Sequence, residues 1–210
     1  NSLQGRIPFY VYGGVYTEPL MNEYFSEFLL MTKRYGNNFG CHSNGSLLID
    51  LEDNIGFCST LIELGNTEYD YYSCSLDAGS IESHKKTKNL KEDWFSRIIN
   101  GLELLVKIRG KANTPKIRVC YLMNKFNSSE EEIQSIVTTV RNIGVDSLRF
   151  SIPYMPYGYD FDKVARYRQN IELPAGRTYR KSVEPFLSKS LEEKPYIFWH
   201  GPEFQDVNKM

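Results

Sequence analysis

The 210 residues carry 41% hydrophobic side chains, enough for one sizeable core, and 25 Lys plus Arg nearly balance 26 Asp plus Glu. That balance leaves no global basic field to hold nucleic acid or an anionic membrane. No apolar run reaches membrane-spanning length, and the opening NSLQGRIPFY lacks the basic and then hydrophobic layout of a signal peptide, so the chain reads as soluble and cytoplasmic.

RIPFYVYGG (6–14) predicts a strand that ends on Gly13 and Gly14. A helix follows over 22–35, with Asn22 as N-cap, Gly36 as stop, and Tyr24, Phe25, Phe28, Leu29, Thr32 and Tyr35 at helical spacing. The strand NFGCHSNG (38–45) precedes a weaker helical segment, 46–65, interrupted near Gly56. YDYYSCSLD (69–77) is a third strand, followed by a basic loop, HKKTKN (84–89), and a helix over 91–109 with Trp94, Ile98, Leu102, Leu105 and Val106 on one face. The fourth strand is KIRVCYLMN (116–124). Ser129 and Glu132 then have capping-box spacing, and the stripe Ile133, Ile136, Val137, Val140 and Ile143 runs to Gly144. VDSLRFSIPY (145–154) is the fifth strand. Beyond it lie a loop rich in Pro and Tyr, PYMPYGYD (153–160), a short helix with Phe161, Val164, Ala165 and Arg168 on one side, and a last strand in PYIFWHG (195–201).

Alternating strands and helices with short connections indicate an α/β fold with a parallel sheet. Ser73, Ser75 and Asp77 share one parity, as do Arg118, Cys120 and Asn124, and Arg149 and Ser151. Tyr72, Cys74 and Leu76, then Ile117, Val119, Tyr121 and Met123, then Leu148, Phe150 and Ile152 take the other. A sheet covered by helices on both faces would be apolar on both. One polar face therefore points to a barrel or partial barrel lined for a polar ligand, with its active groups at the carboxyl ends of the strands. Cys41, Cys74 and Cys120 lie in strand-like runs and Cys58 in a helical one; none forms a Cys-x-x-Cys pair, so they read as buried thiols and no metal site is visible.

Glycines at a strand end open backbone carbonyl and N–H groups to a ligand, which suits a cationic amino group, although Gly13-Gly14 serves equally as a turn. Glu18, just before Pro19, is either a ligand or an acid favoured near a helix N-terminus. Asp77 can accept from both hydroxyls of a ribose or form the turn before Ala78-Gly79. Asn44, in SNG, also suits a turn. Arg149 within a strand needs a counter-charge, either an anionic ligand group or a carboxylate such as Asp77.

GGVYTEPLMNEYFSEFLLMTKRYGNNFGCHSNGSLL, then CSLDAGSIESHKK, WFSRIINGLELLVKIR and NIGVDSLRFSIPY form an ordered set that resembles the core of radical S-adenosylmethionine enzymes over about residues 7–153. The resemblance implies a partial TIM-type (β/α)6 barrel. It also implies a [4Fe–4S] cluster on three cysteines that reduces S-adenosylmethionine, giving a 5′-deoxyadenosyl radical that takes hydrogen from a substrate. An external electron donor and a small-molecule or peptide substrate are implied with it. By the same resemblance, Gly13, Gly14 and Glu18 receive the methionine amino group. Ser43 and Asn44 form the polar end of the next strand, and Ser75 and Asp77 lie near the ribose and carboxylate. Asn124 approaches the nucleoside, and Arg149 faces cofactor or substrate.

Two features depart from the family pattern. Val15, Tyr16 and Thr17 separate the glycines from Glu18, and the Cys-x3-Cys-x2-Cys motif of the first repeat is absent. The expectation is thus a fragment lacking the first strand and cluster loop, inactive alone, with the cluster ligands outside this chain. Residues 1–153 would be the partial-barrel core, and 154–210 a barrel-covering segment or the lead-in to a further, auxiliary-cluster module. The alternative is a cluster-free barrel that binds a nucleoside-type ligand without catalysis. An ordinary barrel lyase or aldolase lacks both a Schiff-base lysine at a strand end and a carboxylate and histidine cluster for a metal.

Overall fold

Sequence alternation becomes a six-stranded parallel sheet in the computed structural model, which describes residues 9–14, 17–152, 162, 163, 166 and 173–201. The strands are β1 (Phe9–Tyr12), β2 (Asn38–Ser43), β3 (Tyr71–Ser75), β4 (Lys116–Leu122), β5 (Ser147–Ser151) and β6 (Tyr196–His200), arranged in sequential order. Right-handed crossovers between sequential neighbours put the connecting helices on one face of the sheet. These are α1 (Phe25–Arg34), α2 (Leu48–Ile55), α3 (Phe57–Leu64), α4 (Ile81–Lys88), α5 (Phe95–Arg109), α6 (Glu130–Ile143) and α7 (Leu173–Val183).

Phe39, Cys41, Tyr72, Cys74, Ile117, Val119, Tyr121, Leu148 and Phe150 share one fully buried cluster with Leu29, Leu61, Leu102, Leu105, Ile136 and Val140 of the helices. The alternate residues His42, Tyr71, Ser73, Ser75, Arg118, Cys120, Arg149 and Ser151 stand on the opposite, polar face, as the parity predicts. β1 and β6 are the two edges, so the sheet is an open partial barrel. The fifth and sixth strands pair in parallel, Arg149 beside Phe198. Among the described residues no helix is long and apolar enough to cross a membrane.

Two carboxylates, Asp70 buried and Asp146 nearly so, clamp the amino ends of the strands by the same device. Asp70 precedes β3; it accepts from Phe39 N of β2 at 2.9 Å and from Lys33 Nζ in the last turn of α1 at 2.7 Å. Asp146 precedes β5; it accepts from Ile117 N of β4 at 2.8 Å and is ion-paired with Arg109 in the last turn of α5. Arg109 also donates to Pro115 O at 3.2 Å, so helix end, strand start and next strand are tied at one point.

Several element limits move for identifiable reasons. α1 begins at Phe25 rather than Asn22, because Asn22 accepts from Tyr24 N after a 3-10 turn over Pro19–Met21. The segment expected as a basic loop is α4; Ser80 and Ser83 form a reciprocal capping box there, and no apolar stripe advertises the helix. α5 starts at Phe95 instead of 91, where the Asp93 carboxylate accepts from the Ser96 amide and hydroxyl. Ser129 accepts from Glu132 N, but the Glu132 carboxylate does not return to it. It accepts instead from Gly79 N at 2.9 Å and from the Ser80 and Ser83 hydroxyls. The loop 153–160 lies outside the described residues, as does most of the short helix expected after it.

Candidate functional site

The carboxyl ends of β1 to β5 surround a cavity of about 730 Å3, within the roughly 300–1,000 Å3 usual for small-molecule sites. Gly13, Gly14, Glu18, Ser43, Asn44, Ser75, Asp77 and Arg149 all line it, eight of the nine residues singled out from sequence.

The two glycines have different reasons. Gly13 has φ +89°, and a Cβ there would meet the His42 carbonyl oxygen at 2.2 Å, so glycine is what lets β1 lie against β2. A Cβ on Gly14 would touch no heavy atom within 4 Å. The packing therefore does not demand a glycine at 14, and its bare backbone opens to the cavity.

Glu18 joins the first two strand ends. One carboxylate oxygen caps the 3-10 turn by accepting from Leu20 N at 3.1 Å, and the other accepts from Asn44 N at 2.7 Å. Asn44 in turn accepts from Ser46 N at 2.9 Å, and the Ser43 hydroxyl accepts from Gly45 N at 2.9 Å, so both build the turn that follows β2 while lining the cavity. Ser75 ends β3 half-buried on the cavity wall.

Asp77 is buried with φ +54°. Its Oδ1 accepts from Leu122 N at 2.7 Å, and its Oδ2 is ion-paired with Lys88 at the end of α4. The internal partner considered for Arg149 is thus taken by Lys88. Each oxygen of Asp77 still keeps a second acceptor position. The loop around it is braced by Asn127, fully buried, whose Nδ2 donates to Asp77 O at 2.8 Å and Leu122 O at 2.9 Å. Glu132 and Ser135 of α6 brace Gly79, the latter by donating to its carbonyl at 2.6 Å. Asn124 does not line the cavity: its amide donates to Asn127 Oδ1, its Oδ1 accepts from Phe126 N, and it serves the turn after β4.

His42, Lys88, Cys120 and Leu122 also line the cavity and were not singled out. Strand alternation from Gly40 would have placed His42 on the polar face; Lys88 had no such signal, because its helix was not legible. Burial, then the charges of Arg149 and Arg118, hold the His42 imidazole below its usual pKa. Its Nε2 lies 2.8 Å from the Tyr71 hydroxyl. A second cavity of about 400 Å3 adjoins, sharing Asn44, Ser75 and Lys88 and adding Leu90, Trp94 and Ile98.

The thiols do not suit an iron–sulfur cluster, which needs converging thiolates. Cys41, Cys58, Cys74 and Cys120 are all buried free thiols. Burial pushes the Cys58 thiol up to about 12 and raises those of Cys41 and Cys74 as well. Among the described residues no group of three or more His, Cys, Asp or Glu could hold a metal ion.

No protein-family model matches the chain, and no curated sequence does. Solved structures do share its fold. Streptococcus suis SuiB bound to S-adenosylmethionine superposes with a TM-score of 0.60 at 14% identity, covering 93% of this chain and 37% of SuiB. TYW1 with a lysine-pyruvate adduct bound gives 0.51 at 18% identity, covering 80% of this chain and 48% of TYW1. SuiB bound to its precursor peptide SuiA gives 0.51 at 12% identity, covering 92% and 46%. The chain spans half or less of the length of these structures. At such identities the likeness is one of fold: the partial α/β barrel of radical S-adenosylmethionine enzymes, with an open sheet.

Proposed function

We propose that the cavity at the strand ends binds S-adenosylmethionine and that the chain is the cofactor-binding part of a radical S-adenosylmethionine enzyme. The observation that supports this is the convergence of eight residues from four strand ends on one cavity, in a fold shared with a protein solved with that ligand. The Gly14 carbonyl, which accepts from Thr17 N at 3.3 Å, keeps a second acceptor position for the methionine ammonium, with no Cβ beside it. Glu18 acts by holding the first turn against Asn44 rather than as a lone ligand, since both its oxygens accept from backbone amides. Ser75 and the spare acceptor positions of Asp77 suit the ribose hydroxyls, and Lys88 is a cation on the same wall for the carboxylate.

S-adenosylmethionine, when reduced by a [4Fe–4S] cluster, supplies the radical in this class of enzyme. The described residues do not supply cluster ligands, so what they contribute is binding and orientation of the nucleoside and exclusion of water beneath it; the cluster ligands come from residues other than these. SuiB, solved with its precursor peptide, motivates a peptide as one substrate class to try.

Amide chemical-shift mapping tests the assignment. On adding S-adenosylmethionine, the resonances of Gly13, Gly14, Asn44 and Ser75 should move first. Shifts confined to Leu90, Trp94 and Ile98 would put the ligand in the adjoining cavity and remove the roles given to the strand ends.

A further inference from the structure

We propose that a second subsite lies deeper on the polar face, between Arg118 and Arg149, and that it binds an oxyanion, a carboxylate or phosphate group, of the substrate. A cavity of about 350 Å3 there is lined by His42, Tyr71, Ser73, Arg118, Arg149 and Tyr196, among others, and it shares His42, Cys120 and Arg149 with the strand-end cavity.

The two arginines come from adjacent strands. Arg149 of β5 pairs with Cys120 of β4, and Arg118 lies two residues before Cys120 on the same face. Lys33–Asp70, Lys88–Asp77, Arg97–Asp50 and Arg109–Asp146 are ion-paired, whereas neither Arg118 nor Arg149 takes part in an ion pair among the described residues. The Nε of Arg149 is buried without a hydrogen-bond partner among those residues. Two guanidinium groups on one half-buried face attract an anion more strongly than they would in water.

The surroundings hold one of the two guanidiniums against an aromatic ring. The Arg118 guanidinium carbon lies over the Tyr71 ring, 4.0 Å from its centroid. That ring lies across Gly40, where a Cβ would stand 2.4 Å from it, and its hydroxyl bonds His42. That cation–π contact uses none of the guanidinium's N–H donors, leaving them for a planar or tetrahedral oxyanion, a geometry that arginine serves and lysine does not. An anion held here would sit below the proposed nucleoside and nearer the amino ends of the strands. Calling it part of the substrate rests on the function proposed above; the anion site itself does not.

His42 reports occupancy, because an anion between the arginines offsets the charges that depress its protonation. The three histidines would be titrated by imidazole NMR in plain buffer, with inorganic phosphate, and with acetate. Occupancy should raise the pKa of His42 by about one unit while exposed His200 stays put. The larger of the phosphate and acetate effects identifies which oxyanion the site takes. Arg149→Gln and Arg118→Gln should abolish the rise, with Arg149→Lys, which keeps the charge but not the fork, as the milder variant should either unfold. No rise in the unmodified chain with either anion, or a rise equal to that of His200, overturns the proposal. Calorimetry with S-adenosylmethionine on the same samples separates the two readings. Nucleoside binding without an anion effect removes only this subsite, and an anion effect without nucleoside binding removes only the proposed function.

Discussion

The Gly13-Gly14 pair allows packing and ligand approach to be separated by one methyl group at a time. In Gly13→Ala an L side chain is forced to φ +89°, a strain of roughly 1–2 kcal/mol. The new Cβ also falls 2.2 Å from the His42 carbonyl oxygen. Neither partner is the flexible end of a side chain, so β1 must withdraw from β2, and overpacking of that kind costs about 1–3 kcal/mol. Together these give about 2–5 kcal/mol, or a fall in Tm of roughly 4–20 °C for a domain of this size. Gly14→Ala meets open space outside the left-handed region, so its stability should stay within about 1 kcal/mol of the parent, on the stabilising side if anything. Its affinity for S-adenosylmethionine should nevertheless drop at least about tenfold, or 1.4 kcal/mol. Thermal unfolding and calorimetry on both variants read the two effects. An unchanged Tm in Gly13→Ala would refute the packing argument; unchanged binding in Gly14→Ala would refute the backbone role.

Asp146→Ala should be among the most damaging single changes, because it strands Arg109, 8% exposed, beside the Ile117 amide. Breaking a buried pair from one side costs about 3–5 kcal/mol, and urea unfolding should show it; a loss under about 1 kcal/mol would mean the pair is not the clamp described. Stability should also fall with acidity below pH 6.5. The imidazoles of His42 and His84 are held below their usual pKa, His42 by burial and by Arg149 and Arg118, with Tyr71 on its remaining side, and His84 by burial and Lys88. Below pH 6.5 the unfolded chain takes up protons that the folded chain refuses, so stability is full above that value and is lost as pH falls. His42→Gln should flatten the decline between pH 6.5 and 5, and an unaltered slope would contradict the sign.

The strands and the polarity of their two faces were legible because alternation is a local, repeated signal: Tyr72, Cys74 and Leu76 against Ser73 and Ser75 could be read from five residues. α4 was not, since its buried residues are Ser83 and His84 and the helix rests on a cap rather than a stripe. α7 carries Pro174 and Gly176 within its first turns, which mask a helix from any propensity reading although proline is tolerated there. Asp70, Asp146, Asn127 and Glu132 were passed over or misassigned for one shared reason. Each looks like a surface or capping residue locally, yet each finds partners 29 to 53 positions away. The strand-end residues stood out because glycine pairs and polar residues interrupt apolar runs there. Asn124 did too, but it lies off the cavity, its amide and Oδ1 serving the turn after β4 and its Nδ2 donating to the Thr87 hydroxyl of α4.

The central claim is that the strand ends form a nucleoside cofactor site, and calorimetric titration of the folded chain with S-adenosylmethionine addresses it most directly. The account predicts saturable binding of one ligand per chain, displaced by S-adenosylhomocysteine. A chain that unfolds in a single cooperative transition yet takes up neither ligand would contradict it.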